Sequence, residues 1–152
     1  MSYSVRVERV ERQPLAVVRR RASRPELSTA VPAACGEVWN LARAHAVERP
    51  GRLVAVYLDG AINLEVGVEV GDAFAGAADL SRSETPAGTV AMVAHIGPYS
   101  GLAQAHLAIQ TWCKANGHAL PVINWEVYGH WTDDPAALRT DVVYLLGAAT
   151  VS

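Results

Sequence analysis

From Val5 to Val10 apolar and charged residues alternate, the period-two signature of a strand with one buried face, and a second apolar stretch, Leu15 to Val18, follows the break at Gln13-Pro14. Adjacent in sequence and separated by a turn, these two segments read as a hairpin. Ser23 and Glu26 stand at capping-box spacing, with Pro25 where a first helical turn tolerates its missing N–H, so a helix starts nearby. Pro32 would remove a backbone bond and crowd the preceding turn, which places the regular part of that helix from about Val31 onward. Val31, Cys35, Val38, Ala42 and Ala46 then recur at three- and four-residue spacing, one apolar face of a helix that ends before Pro50-Gly51.

Leu53 to Leu58 is a short apolar strand, Asp59-Gly60 is a hairpin-type turn, and Leu64, Val66, Val68 and Val70 line one face of the next strand. The stretch Gly71 to Gly88, rich in Gly, Ala, Ser and Asp, suits a loop with one short strand near Arg82 to Glu84. The pattern then recurs. Thr89 to Ile96 is strand-like, Gly97-Pro98 breaks it, and Ser100 can cap a helix that runs to Asn116-Gly117 with Leu102, Ala105, Ile109, Trp112 and Cys113 as its apolar stripe. Two more strands, Asn124 to Trp131 and Thr140 to Leu146, flank the turn residues Thr132 to Pro135.

Matching Ala16 with Ala91 and Leu64 with Thr140 aligns the two halves at a spacing of about 75 residues, which suits a duplicated module. The expectation is therefore an α+β fold: two β-α-β-β modules, approximately residues 3–70 and 80–147 of a single domain. Together they make one antiparallel sheet with both helices on one face and a groove between them. Such a groove is a common geometry for a small-molecule site.

Composition narrows the partners. With 51% apolar and 18% charged residues the chain carries enough hydrophobic surface to fold, and its formal charge of −2 supplies no field for a polyanion, so nucleic acid is not expected as a partner. No apolar run reaches membrane-spanning length and the first residues are charged, so neither a membrane nor secretion is expected, and the cytoplasm is the expected compartment. In that compartment Cys35 and Cys113 are expected as reduced thiols. The histidines lack zinc-type spacing, and there is no phosphate loop or nucleophile elbow, so neither metal nor cofactor is expected.

Alternation along the penultimate strand puts Asn124, Glu126 and Tyr128 on one face and Trp125 with Val127 on the other. If the first face meets the groove, a carboxylate stands beside a phenol; taken alone, the residues favour a solvated face, because Glu is seldom buried unpaired. Trp39 and Trp112 lie on the two helices, and Tyr57 and Tyr128 on roughly corresponding strands. Aromatic walls over a carboxylate suit cations, each ring face contributing about 0.5–2 kcal/mol to a desolvated charge, with plain core packing as the alternative for any one ring. His95, at a strand end before Gly97-Pro98, is a further groove candidate, with a surface or capping role as its alternative.

Gly97-Pro98-Tyr99 leading into a helix, Trp112, Asn116-Gly117, Trp125-Glu126-Val127-Tyr128, Asp134-Pro135 and Thr140-Asp141-Val142, in this order, resemble the GyrI-like family across essentially the whole chain. The family is related to effector-binding domains of bacterial multidrug-responsive transcription regulators. The resemblance implies a groove that receives hydrophobic, often cationic, small molecules, with Glu126 at its bottom and an acidic role for Asp141 on the last strand. It reverses the balance for Glu126, since a site that tolerates a buried carboxylate has a reason to keep it. Without a helix-turn-helix ahead of this domain, sequestration of drugs or toxins is expected rather than direct transcriptional control. The alternative implied by the resemblance is hydrolysis of cyclopropane-containing electrophilic natural products, with Glu126 polarising water and Tyr128 donating a proton or orienting the substrate. A contact with DNA gyrase, suggested by the family name, has the least support, because the chain has no acidic run that mimics DNA.

Overall fold

The computed structural model describes residues 3–45, 47, 49–59, 63–77, 79–129 and 133–148. Its elements are β1 (Arg6–Val10), β2 (Pro14–Arg21), α1 (Leu27–Ala44), β3 (Leu53–Tyr57), β4 (Asn63–Glu69), β5 (Ser81–Glu84), β6 (Gly88–Ile96), α2 (Leu102–Ala115), β7 (Asn124–Tyr128) and β8 (Arg139–Ala148). All eight strands join one antiparallel sheet in the order β1-β6-β8-β7-β3-β4-β2-β5. Among the described residues no helix is long and apolar enough to cross a membrane. Ala46, Gly60, Trp131 and Thr132, on which the sequence placed a helix end, a turn and a strand end, lie outside the described residues.

Register decides which side chains share a face, because directly paired residues of an antiparallel ladder project to the same side. Ala55 pairs with Glu126 and with Val66, Glu126 pairs with Val142, and Val142 pairs with Val93. Helix α1 packs on this face over β2 and β4, burying Val31, Ala34, Val38 and Ala42 against Ala16, Val18, Val66 and Val68. Helix α2 packs on it over β6 and β8, burying Ala105, Ile109 and Cys113 against Ala91, Val93 and Val142. The central strands β3 and β7 run between the helices, so their side chains on this face form a floor.

Leu15, Val17, Val54, Val56, Val90, Trp125 and Val143 occupy the other face and are buried in a separate cluster. Neither helix joins that cluster; Val10, Met92, Ile123, Val127 and Leu145 pack against it instead. Gly67 on β4 pairs with Val17 and Val54 there; a Cβ would sit 2.4 Å from the Ala16 carbonyl oxygen and 2.6 Å from a Val17 methyl. Close approach of β2 therefore requires glycine at this position.

The structure corrects three local expectations. β1 and β2 do not form a hairpin: β1 pairs with β6, while β2 lies between β4 and β5. Alternation fixes which face of a strand is buried but not which edge it joins, and both edges of β2 are taken by other strands. Helix α1 begins at Leu27, after a 3-10 turn, and runs through Pro32. That proline is exposed, so its ring and missing N–H fall on the open side of the helix while Val31, Ala34 and Val38 anchor the core side. Finally, α2 follows a 3-10 turn at Tyr99–Gly101 and starts without a side-chain cap from Ser100. Cys35 and Cys113 lie on different helices and are free thiols.

Candidate functional site

Between α1 and α2, above β3 and β7, lies an open cleft of about 1640 Å³. Drug-sized pockets usually hold about 300–1,000 Å³, so this space admits ligands of more than one size. The α1 wall is apolar, with Leu27, Val31, Pro32, Cys35 and Trp39, whereas α2 contributes Ala103, His106, Leu107 and Gln110. Glu126, Tyr57 and Tyr128 rise from the floor, and Tyr99 closes one side with its ring edge-on to Tyr128, centroids 5.8 Å apart.

Glu126 is 5% exposed. Its Oε1 accepts hydrogen bonds from the hydroxyls of Tyr57 at 3.0 Å and Tyr128 at 2.6 Å, while Oε2 lies 2.7 Å from Nε2 of His106. Burial is the largest single influence on this carboxyl and opposes its charge, but the His106 hydrogen bond and charge together with the two phenols outweigh it and hold its pKa below the ordinary value. The carboxylate is thus ionised at neutral pH, and His106 presents an Nε2–H to it, because an ionised carboxylate can only accept. The same geometry acts in reverse on the donors. Burial first, then the Glu126 charge, raises Tyr57 and Tyr128 well above the usual phenol range, so both remain neutral donors. Burial and the Glu126 charge also push the Cys35 thiol up to about 11, which keeps it protonated and a poor nucleophile.

Beyond His106 the network continues along the α2 side. Nδ1 of His106 lies 2.7 Å from the hydroxyl of Tyr144 on β8, and the Gln110 amide donates to that hydroxyl at 3.3 Å. Cations in the neighbourhood are engaged elsewhere: Arg52, at the margin of the cleft, pairs with Glu69 and Asp141. Among the described residues no Arg or Lys pairs with Glu126, and no three His, Cys, Asp or Glu side chains cluster to hold a metal ion.

Of the residues singled out in the sequence, Glu126, Tyr57, Tyr128 and Trp39 come together in the cleft; Trp112 and His95 do not line it. The core positions Ala34, Val38 and Ala42 of α1 match Ala105, Ile109 and Cys113 of α2 in order, which makes Gln110, not Trp112, the counterpart of Trp39. Trp112 instead faces away and stacks on His118, centroids 5.2 Å apart. His95 is buried beneath the loop after β6, with its ring nitrogens 2.8 Å from the Tyr3 hydroxyl and from the Pro98 carbonyl oxygen. Its place in the fold is structural: it holds the segment carrying Tyr99, and a Cβ on Gly101 would come within 2.8 Å of its ring. Asp141 pairs with Val127 and points to the opposite face, where it meets Arg139 and Arg52, so it is not a second floor carboxylate.

His106, Gln110, Tyr144, Tyr99 and Cys35 also line the cleft, beyond the residues that the sequence marks as site candidates. The helix-matching that moves Trp112 out places Cys35 and His106 at equivalent positions on either side of the floor. A signal for His106 and Gln110 is present in their four-residue spacing with Leu102, a stripe adjacent to the buried one.

Comparison with known proteins places this fold among relatives. No curated protein matches the chain. Among solved structures, the C-terminal domain of EcmrR superposes with a TM-score of 0.75 at 18% identity, covering 98% of this chain and 100% of that one. SAV2435 bound to tetraphenylphosphonium gives 0.68 at 8% identity over 95% and 93% of the two chains. A hydrolase from Listeria innocua gives 0.60 at 11% identity over 92% and 90%. At these identities the likeness is one of fold. The family model described as the GyrI-like small molecule binding domain matches residues 3–145, and the chain belongs to that family.

Proposed function

We propose that the cleft takes up hydrophobic, preferably cationic aromatic compounds, seating the charge over Glu126 and the aromatic body against Trp39 and the apolar wall of α1, and that it serves sequestration of drugs or toxins. The observation that carries this reading is the ionised, nearly buried carboxylate of Glu126, held by phenols and an imidazole and paired with no Arg or Lys among the described residues. A buried charge without a permanent counter-charge favours a ligand that brings one, and the faces of Tyr57, Tyr99, Tyr128 and Trp39 add to the attraction. The tetraphenylphosphonium complex of SAV2435, a protein of similar fold, supports the same reading.

Hydrolysis of a cyclopropane-containing electrophile is the second reading, favoured by the neutral phenol of Tyr128 beside the carboxylate and by the neighbour named as a hydrolase. The direction of the Glu126 shift weighs against it. A general base works best with its pKa raised toward the working pH, whereas three donors make this carboxylate less basic than usual. Binding with recovery of the ligand intact is the expected outcome. Isothermal titration with tetraphenylphosphonium, followed by mass spectrometry of a cyclopropane alkylator after long incubation, tests both readings together. Absence of heat and of any competing displacement with lipophilic cations contradicts the first; catalytic formation of a water adduct, abolished by Glu126→Gln, establishes the second.

A further inference from the structure

One imidazole, that of His106, stands beside the floor carboxylate, and its hydrogen-bond surroundings accommodate both charge states of such a ring. His106 sits on α2 with Glu126 of β7 on Nε2 and Tyr144 of β8 on Nδ1. The other titratable groups of the cleft are the Tyr57 and Tyr128 phenols on Glu126, Tyr99 at the start of α2, Cys35 on α1, and Arg52 and Asp59 farther along the cleft. Burial and its causes keep Tyr57, Tyr99 and Tyr128 neutral and Cys35 a thiol, Arg52 is held cationic by Glu69, and Asp59 is bonded to Asn63. Among the described residues His106 is the one imidazole lining the cleft, and imidazole is the side-chain type able to carry either charge near neutral pH.

Hydrogen bonding on the far side of the ring is what allows the change. With His106 neutral, Nε2–H donates to Glu126, Nδ1 accepts from the Tyr144 hydroxyl, and Gln110 donates its amide N–H to the Tyr144 oxygen. With His106 protonated, Nδ1–H donates to the Tyr144 oxygen, and the Tyr144 hydrogen turns to Gln110, whose amide presents its oxygen after a half-turn. Glutamine, having both a donor and an acceptor at one end, serves either arrangement; leucine serves neither. A buried histidine with only an acceptor or only a donor on Nδ1 would be confined to one state.

We infer that the Gln110–Tyr144–His106 chain sets the charge preference of the cleft: with His106 neutral the floor carries the full Glu126 charge and selects lipophilic cations, and with His106 protonated the floor is neutral overall and selects uncharged aromatic ligands. This rests on the binding reading above. By linkage, a cation that binds the neutral-histidine state expels a proton when it enters, whereas a neutral ligand of similar shape does not.

The test is titration calorimetry of tetraphenylphosphonium and of neutral triphenylphosphine oxide between about pH 5 and 8, for the wild-type chain, His106→Gln and Gln110→Leu. Circular dichroism of each variant checks folding. Cation affinity in the wild type rises with pH, approaching tenfold per unit at the acid end and levelling off above, with a proton released on binding at low pH. The phosphine oxide shows no such rise. His106→Gln gives a flat cation profile. Gln110→Leu moves the titration of the His106 ring, followed by its 15N resonances, to lower pH, which a merely structural role for Gln110 would not do. A wild-type cation profile that is flat with pH, or a slope that survives His106→Gln, overturns the inference while leaving the binding reading intact. Failure of either ligand to bind at any pH overturns the binding reading itself, and an unmoved His106 titration in Gln110→Leu removes Gln110 from the chain.

Discussion

Tyr128 donates its hydroxyl to Oε1 of Glu126 across 2.6 Å, two residues along the same strand and on the same face. The pair is set by the pleat of β7, which brings i and i+2 side chains to one side, and by burial that denies the carboxylate water as an alternative donor. Charged hydrogen bonds of this kind contribute about 1.5–3 kcal/mol. Tyr128→Phe should therefore lower stability by an amount in that range, and by clearly less when Glu126 is already Gln. A double-mutant cycle in urea measures the difference. Additive losses would mean that the hydroxyl contributes through packing rather than through the carboxylate.

Acid tests the ionisation state of Glu126. Its folded pKa lies below the ordinary carboxyl value, so the stability it contributes is present in full above the unfolded pKa of about 4.3 and is lost as pH falls through the lower folded value. Thermal melts of the wild type should accordingly fall more steeply than those of Glu126→Gln as the pH drops below about 4.3, and run parallel to them above it. If burial instead dominated and raised the pKa, the wild type would gain on the variant as the solution became acidic.

The two helix tryptophans should report differently on a bound ligand. Trp39 lines the cleft and is 38% exposed, whereas Trp112 stacks on His118 outside it. A cationic aromatic dye that quenches tryptophan emission should lose a substantial part of that quenching in Trp39→Phe and little in Trp112→Phe. Larger loss in Trp112→Phe would place the ligand outside the cleft.

Much of this arrangement could be read from the sequence, because strand alternation and helix periodicity follow from burial of one face. Glu126 and Tyr128 shared a face by period two, Tyr57 lay on a strand that proved to be the neighbour of theirs, and both helices were legible from their apolar stripes. Pairing partners were not legible in the same way. The local pattern of β1 is as compatible with β2 as with β6, and only the assembled sheet shows that both edges of β2 are occupied. Trp112 was misplaced for a related reason: two aromatic residues on similar helices suggested equivalence, but the core positions put them two residues out of phase. His106 carries only the four-residue spacing with Leu102 and Gln110 as a local pattern, which does not mark it as a site residue; its meaning comes from Glu126 and Tyr144, brought to it by β7 and β8.

The central claim is that the charge of Glu126 does the selecting, and one comparison isolates it: the affinities of tetraphenylphosphonium and of neutral triphenylphosphine oxide for the wild type and for Glu126→Gln, at a pH of about 8. Glutamine keeps the size and the acceptor for Tyr57 and Tyr128 while removing the charge. Cation affinity should fall about tenfold, equivalent to about 1.4 kcal/mol, while the neutral ligand changes little. Equal losses for both ligands, or no loss for the cation, would contradict the account.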